Sequence, residues 1–382
     1  MWRSLASNML TILIVGLFLF AGVILWGKNE YTSEGPLTDA ICFQVPGGTN
    51  MARVSRRLED DGVVSSGTIF RIGVKYSEKA QHLKAGSYLV EPGASMEGIV
   101  DQITRGGAST CGTEIVYRVG VTRVLAEVRE LDPATNAFVE RAEFVPGVDE
   151  TPAVYTEKKS EADTRYRIAL AEGVTSWQVV ESLKAMDILE GEPGSRPAEG
   201  SLAPDSYEIR PGTSREAILE EMKARQDKRI KDAWEARSPD TAVETPEEML
   251  ILASIIEKET GVAAERGVVA SVFTNRLKRG MRLQSDPTVL YGVEGGMDRV
   301  IRKSDLKRET AWNTYVIANL PATPICNPSR DSIEAALQPA KTSNLYFVSD
   351  GNGGLRFART LDAHNKNVRL FRKAQREAAA GG

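Results

Sequence analysis

The hydrophobic pattern of the chain begins with one long apolar segment near the N-terminus. Residues 9–26 contain no charged residue and no proline, and an α-helix over that range extends about 27 Å, enough to cross the hydrocarbon core of a bilayer. A cleaved signal peptide is the alternative, but its apolar run is usually shorter and ends at an Ala-x-Ala-like site, which does not follow here. We therefore predict a transmembrane helix at 8–26 and a cytoplasmic tail at 1–7, with the body of the chain beyond the membrane.

Four stretches of the body repeat one short pattern of tight turn, hydroxyl side chain and amphipathic helix. Each places Ser or Thr where its oxygen can accept a hydrogen bond from the free N–H groups of a new helix. The predicted capping residues are Thr49, Ser95, Thr175 and Ser214. Strand-like runs at 41–45, 87–90 and 167–171 precede three of them. Such units resemble LysM-like modules, which hold N-acetylated glycans, although ordinary helix capping produces the same pattern.

Composition marks the segments between these units. Residues 133–163 are rich in Pro, Glu, Ala and Thr, which predicts a loop or irregular insertion. Residues 213–237 are highly charged and predict a spacer helix, whose apolar side is formed by Ile218, Met222, Ile230 and Trp234. We predict an α+β fold with these segments: a LysM-like module at 41–110, an insertion or linker at 111–165, a second α+β module with the spacer helix at 166–240, and a catalytic domain at 245–382.

Composition and charge exclude several classes of function. Lys and Arg total 48 against 52 Asp and Glu, a net charge of −4, so the chain lacks the broad basic face that nucleic-acid binding needs. Two histidines and three cysteines are too few for a dense metal site, and we expect neither a metal nor another cofactor. Outside the cytoplasm Cys42 and Cys111 can pair and leave Cys326 free, while three buried thiols are equally compatible with the sequence.

The first chemical candidate lies on a predicted helix in the C-terminal third. The sequence TPEE (245–248) combines a capping box with proline at the first helical position, and the helix should end near Gly261. Leu252, Ile255, Ile256 and Glu259 recur at i, i+3, i+4 and i+7, so Glu259 continues the apolar stripe while Glu257 points about 200° away from it.

Position on that stripe gives Glu259 the properties of a general acid. Burial and the negative end of the helix dipole both disfavour the charged form, so the pKa of Glu259 should rise towards neutrality. The alternative is a structural ion pair of Glu259 with Arg266 or Arg276. Downstream, Ser285 or Asp286 can cap a short helix, and amides, hydroxyls and aromatic residues gather in the loops near 283–292, 312–315 and 319–321, which suits a sugar-binding groove.

The run ASIIEKETGVAAERGVVASVFTNRLKRGMRLQSDPTVLYG (253–292) resembles the signature of the endolytic murein transglycosylases, the YceG-like family. The similarity extends downstream to 311–321 and 337–354, and upstream to 45–49, 83–95 and 199–209. It implies a membrane-anchored enzyme with LysM-like segments and a mainly helical, lysozyme-like catalytic domain, in which the second Glu of EKET, here Glu259, is catalytic. The substrate-binding residues implied with it are Gln284, Ser285, Asp286, Tyr291, Asn313, Thr314 and Tyr315.

The resemblance implies a single-carboxyl reaction on peptidoglycan. Glu259 protonates the bond between MurNAc and GlcNAc and then accepts the proton of the MurNAc C6 hydroxyl, which leaves a 1,6-anhydro end. The implied location is the bacterial inner membrane, with the body in the periplasm, peptidoglycan strands as substrate and peptidoglycan synthases as prospective partners.

Three other functions stay open. A hydrolytic muramidase would add a second carboxylate, for which Glu265 and Asp286 are candidates. A non-catalytic scaffold would use the repeated modules alone to bind glycan. A serine acyl-enzyme would rely on Ser304-x-x-Lys307, but the accompanying motifs are missing. A DGNGG sequence (350–354) predicts a hairpin turn in preference to a calcium loop.

Overall fold

The computed structural model describes residues 2–105, 110–161, 163–238, 241–293 and 300–381, with side chains between residues 9 and 377. The fold mixes helices and strands, as the α+β prediction requires. The helices are α1 (Trp2–Thr32), α2 (Met51–Asp60), α3 (Gly67–Tyr76), α4 (Met96–Thr104), α5 (Ala153–Lys159), α6 (Ser176–Ala185), α7 (Arg215–Glu235), α8 (Pro246–Glu259), α9 (Ala263–Lys278), α10 (Asp286–Tyr291), α11 (Arg330–Leu337) and α12 (Leu361–Gly381).

The strands form one five-stranded sheet and two two-stranded sheets. They are β1 (Ile41–Val45), β2 (Gly86–Val90), β3 (Thr113–Val119), β4 (Val124–Asp132), β5 (Ala137–Phe144), β6 (Arg165–Leu170), β7 (Ser206–Ile209), β8 (Tyr346–Ser349) and β9 (Leu355–Ala358). The larger sheet has the order β5-β4-β3-β6-β7, while β1 pairs with β2 and β8 with β9, both antiparallel. The pairing of β8 with β9 confirms the hairpin predicted around 350–354.

The chain divides into two compact units. The first comprises residues 1–116, 127–144 and 150–166, and the second comprises 117–126, 145–149 and 167–382. The segment predicted at 166–240 therefore belongs, from residue 167 onwards, to the same compact unit as the C-terminal third.

Helix α1 carries the long apolar segment. Its range Met9–Thr32 is long and apolar enough to cross a membrane, and a signal sequence near an N-terminus would meet the same criteria. The apolar side chains of this range are exposed to a degree unusual for a folded unit, with Phe18 76% exposed. Such exposure is compatible with a lipid environment, since water does not favour a continuous apolar surface of this size.

The first unit contains the first two of the predicted capped helices. Ser95 accepts a hydrogen bond from Gly98 N and caps α4 as predicted, whereas Asn50, not Thr49, caps α2. Asn50 takes the role because its extended backbone and short amide place the oxygen 3.0 Å from Arg53 N. Cys42 and Cys111 form a disulfide in this unit.

The prediction of a loop or irregular segment at 133–163 is wrong. Strand β5 and helix α5 occupy about half of it, although its composition favours an irregular segment. Pairing of β5 with β4 supplies main-chain hydrogen bonds that composition cannot reveal. Helix α5 is anchored by Tyr155, which is buried and packs edge-on against Phe144 with ring centres 5.0 Å apart.

The second unit is built around α8. Its buried residues Leu252, Ile255 and Ile256 form one core with side chains from α9 and α11. Ile230 and Trp234 of α7 pack against this core, so the predicted apolar side of the spacer helix is confirmed. Thr175 caps α6 with a full capping box, and Ser214 caps α7, as predicted.

Candidate active site

Glu259 is the last residue of α8 and lies at the edge of the hydrophobic core of the second unit. Thr245 accepts a hydrogen bond from Glu248 N at 3.1 Å and Pro246 occupies the first turn, so the helix begins where the sequence predicts. It ends at Glu259, because Thr260 is extended. Glu259 is partly buried, at the end of a helix whose residues 251–256 are all buried.

The carboxyl of Glu259 accepts one short hydrogen bond. Ser285 Oγ donates to Glu259 Oε1 at 2.5 Å. Burial, with the nearby charge of Asp286 as a smaller contribution, raises the pKa of Glu259 to about 7, against the opposing effects of the Ser285 hydrogen bond and the Arg276 charge. A carboxyl with this pKa is about half protonated near neutrality, which suits a group that must both donate and accept a proton.

The other glutamate of the EKET run, Glu257, has a different environment. Glu257 Oε2 accepts hydrogen bonds from Ser329 N at 2.8 Å and Ser329 Oγ at 2.5 Å, just before the first residue of α11. Glu257 therefore fixes the start of a neighbouring helix. The two carboxyls diverge as their positions on the helix predict.

The arginines proposed as ion-pair partners of Glu259 bind elsewhere. Arg266 forms an ion pair with Asp331 at 3.1 Å. Arg276 is buried, and its guanidinium donates to the main-chain oxygens of Leu345 and Leu283, each at 2.7 Å. Its charge reaches Glu259 only as a minor effect on the pKa.

The loop before α10 differs from the predicted capping arrangement. Ser285 occupies the N-cap position of α10, but its side chain makes no capping bond because the hydroxyl donates to Glu259. Asp286 is exposed and does not cap the helix either; its Oδ1 accepts from Tyr315 Oη at 2.6 Å. Gln284 is exposed with a positive φ of 50°, and its N–H donates to the Thr314 oxygen.

Two predicted sugar ligands lie in the interior. Asn313 is 0% exposed: its Nδ2 donates to the main-chain oxygens of Asp305 and Arg308, and its Oδ1 accepts from Tyr315 N. Thr314 is also 0% exposed, and its Oγ1 accepts from Ser285 N at 2.9 Å. Neither side chain has a polar group facing solvent. We therefore expect both residues to position neighbouring loops, while their predicted contact with sugar stays a prediction.

The two predicted tyrosines are partly buried. Tyr315 donates to Asp286, and burial, followed by that bond, raises the pKa of its phenol. Tyr291 Oη donates to Glu199 Oε2 at 3.2 Å, and burial raises its pKa to about 12. The ring of Tyr291 packs edge-on against Trp312, with centres 5.6 Å apart.

Glu199 is a partly buried carboxyl in contact with Tyr291, and the sequence pattern does not single it out. Its Oε1 accepts from Ser176 N at 2.8 Å, at the start of α6, and burial raises its pKa. It lies in the EGSLAPDSYEI stretch (199–209), which carries part of the family resemblance. No local periodicity distinguishes it, because its partners are contributed by distant parts of the chain.

Of the two candidates for a second catalytic carboxylate, Asp286 is exposed, whereas Glu265 holds a neighbouring strand. Glu265 Oε1 accepts from Leu355 N at 2.8 Å and fastens the β8–β9 hairpin. Within the described ranges, no group of three or more His, Cys, Asp or Glu side chains is arranged to hold a metal ion.

Comparisons with known proteins give consistent matches. The family model described as the YceG-like family matches residues 43–370. A relative from Bacillus subtilis (strain 168), named endolytic murein transglycosylase, is 30% identical over 363 residues, covering 94% of this chain and 92% of the relative. One of the same name from Streptococcus pneumoniae serotype 2 is 30% identical over 332 residues, 85% of this chain and 57% of the relative. A crystal structure of a yceG-like protein from Listeria monocytogenes aligns at 27% identity over 86% of this chain and 98% of that one, with a TM-score of 0.44, too low to bear on the fold.

Proposed function

This chain belongs to the YceG-like family, and from that premise we propose that it is an endolytic murein transglycosylase in which Glu259 is the catalytic residue. The names of the relatives support the reaction class. The observation that carries the assignment of the residue is the short Ser285–Glu259 hydrogen bond on a carboxyl whose pKa is about 7.

The proposed mechanism uses Glu259 twice. The protonated carboxyl donates its proton to the oxygen that joins C1 of MurNAc to GlcNAc, and the bond from C1 to that oxygen breaks. The resulting carboxylate accepts the proton of the C6 hydroxyl of the same MurNAc while the C6 oxygen bonds to C1, which closes a 1,6-anhydro ring. The proton returns to Glu259 and no water is consumed.

The surrounding residues support both halves of this cycle. Burial keeps Glu259 protonated for the first step. The Ser285 hydroxyl donates to the carboxylate formed by that step, and a charge-assisted hydrogen bond of this kind stabilises it. Thr314 fixes Ser285 through the Ser285 N–H, so the donor is held in place before substrate binds.

A hydrolytic muramidase is the second candidate function. Asp286 favours it, because this exposed carboxylate is held by Tyr315 and acts electrostatically on Glu259. A hydrolase would use such a group to activate water or to stabilise the sugar cation. The products separate the two reactions, since hydrolysis adds one water to the new end and anhydro closure does not.

The test combines one substitution with one product measurement. Glu259→Gln keeps the shape of the side chain and an acceptor for Ser285 but removes the proton, so it should abolish anhydro ends in a digest of purified glycan strands analysed by mass. Glu257→Gln, on the other face of α8, is the matched control and should keep most of the activity. An active Glu259→Gln variant would refute the assignment, and reducing ends from the wild type would favour the muramidase.

We also propose that α1 anchors the chain in the bacterial inner membrane, with the body in the periplasm. The Cys42–Cys111 disulfide supports this, because such bonds persist in oxidising compartments. A C-terminal fusion to a reporter active only outside the cytoplasm should give signal. Signal from a cytoplasm-dependent reporter alone would reject the topology.

Two finer proposals concern the parts of the body. Residues 41–110 and 166–215 act as LysM-like modules that add glycan affinity, and 245–382 forms a lysozyme-like catalytic domain with α8 and α9 at its centre. Deleting 41–110 should weaken binding to peptidoglycan, and unchanged binding and cleavage would reduce that module to a spacer. Peptidoglycan synthases as partners stay a prediction of the family resemblance.

A further inference from the structure

A short segment beside the site carries exposed positive charges that the reaction does not use. It lies between residues 300 and 309 and contains a single 3-10 turn, Asp305–Lys307. Its exposed cations, which we call the cationic loop, are Arg302, Lys303, Lys307 and Arg308. In the part of the chain that the structure describes, none of these side chains forms an ion pair.

Asn313 fastens the cationic loop to the site. The Nδ2 of Asn313 donates to the Asp305 oxygen at 3.0 Å and to the Arg308 oxygen at 2.7 Å, while its Oδ1 accepts from Tyr315 N at 3.0 Å. The next residue, Thr314, holds the N–H of Ser285. One buried amide thus joins the cationic loop to the residues that hold the partner of Glu259.

Of the two acidic residues in the segment, Asp305 turns inward and Glu309 is exposed. Asp305 is 2% exposed, and its Oδ2 accepts from Arg302 N at 2.8 Å. The turn is therefore closed by a buried carboxylate, and the four exposed cations outnumber the one exposed acidic residue, Glu309. The segment therefore exposes a local positive charge to solvent, although the net charge of the whole chain is −4.

We propose that the cationic loop binds the carboxylates of the peptide stems on the murein strand, next to the bond that Glu259 cleaves. The inference rests on the proposed function, because it assumes that a murein strand occupies the site. If the cationic loop binds the stems, the enzyme should prefer a peptide-bearing strand to a strand stripped of its stems.

The chemistry of the strand selects the stems as the ligand. In a peptide-bearing strand the lactyl carboxyl of MurNAc is tied up in its amide with the stem, so the sugar backbone carries no charge. Each peptide stem ends in free carboxylates, so on such a strand only the stems are attracted by lysine and arginine side chains. Exposed ion pairs are individually weak and are screened by salt. Several of them together should therefore change substrate affinity by a moderate factor that disappears at high ionic strength.

The test measures cleavage of two matched substrates by the full chain in detergent. The variant Lys303→Gln/Lys307→Gln/Arg308→Gln should raise KM for peptide-bearing strands about tenfold at low salt, with kcat unchanged. It should leave KM unchanged for amidase-stripped strands whose lactyl carboxylates are methyl-esterified. The control Lys366→Gln/Arg369→Gln/Arg372→Gln removes the same charge from the exposed side of α12 and should leave both KM values as in the wild type. Equal melting temperatures exclude an effect through folding.

Three results would overturn the proposal: an unchanged KM for peptide-bearing strands, an equal rise for both substrates, or equally good cleavage by the wild type when the stem carboxylates are methyl-esterified. The proposed function fails differently, since a wild type that cleaves neither substrate would refute it. Equilibrium binding of both strands to the Glu259→Gln chain, with and without the triple substitution, then tests the cationic loop without any turnover.

Discussion

Replacing Glu259 by Gln should make the protein more stable at pH 8 but not near pH 4. The carboxyl lies at the buried end of α8, where loss of hydration disfavours its charge and raises its pKa from 4.5 to about 7. Gln has the same shape and keeps an oxygen for the Ser285 donor, which lies 2.5 Å from Glu259 Oε1. The substitution therefore removes the charge with little change in packing.

The size and sign of the effect follow from this pKa. Because the folded-state pKa is raised, the contribution of Glu259 to the free energy of unfolding is intact below about pH 4.5 and is lost as the pH rises through about 7. The difference of 2.5 pH units corresponds to at most about 3 kcal/mol. Gln does not titrate, so its advantage should grow by about 2 to 3 kcal/mol between pH 5 and pH 8.

Urea unfolding of the full chain in detergent at pH 5, 6, 7 and 8, followed by tryptophan fluorescence, measures this advantage. The matched control is Glu257→Gln, which weakens two hydrogen bonds to Ser329 and should lower stability by about 1–2 kcal/mol. If the stability of Glu259→Gln falls relative to the wild type as the pH rises, the carboxylate is stabilised in the folded state. In that case the physical argument for a general acid fails, whatever the activity of the variant.

Two further predictions concern the residues around Glu259. Ser285→Ala removes a hydrogen bond that lowers the pKa of Glu259, so the pH above which kcat/KM declines should move up by about one unit; a shift to lower pH in the pH–rate profile would contradict the assigned contact. Asn313→Ala leaves the Asp305 and Arg308 oxygens without their buried donor and should lower the stability by about 2 kcal/mol or more, whereas Gln284→Ala, at an exposed side chain, should change the melting temperature little while raising KM.

The parts of the site that follow local rules could be predicted from the sequence. The start of α8 is fixed by Thr245 and Pro246, which act within one turn, and the choice of Glu259 over Glu257 needs only the angle between successive residues on a helix. Both features depend on neighbours a few positions away. Because such short-range relations can be read from the order of residues, the predicted start of α8 and the predicted divergence of Glu257 and Glu259 agree with the structure.

The parts that depend on distant partners could not be predicted. Asn313 resembles a ligand in the sequence because amides bind sugars, but its partners are main-chain oxygens of residues 305 and 308, whose position depends on the fold. The local sequence around Glu199 does not indicate its environment, because its partners Ser176 and Tyr291 lie far from it in sequence. Polar residue type alone does not distinguish a ligand from a buried support.

The solvent exposure of a side chain helps to distinguish a residue that can bind substrate from a buried residue that supports the site. A side chain that binds substrate must keep a polar group facing solvent, which Gln284, Asp286 and partly Tyr315 do and Asn313 does not. The buried residues instead hold the Glu259 carboxyl in position: Thr314 accepts a hydrogen bond from the Ser285 N–H, and the Ser285 hydroxyl donates to Glu259. We therefore expect the exposed residues around Glu259 to contact the substrate. A substitution among them should change KM, whereas a substitution among the buried residues that hold Glu259 should change kcat or stability.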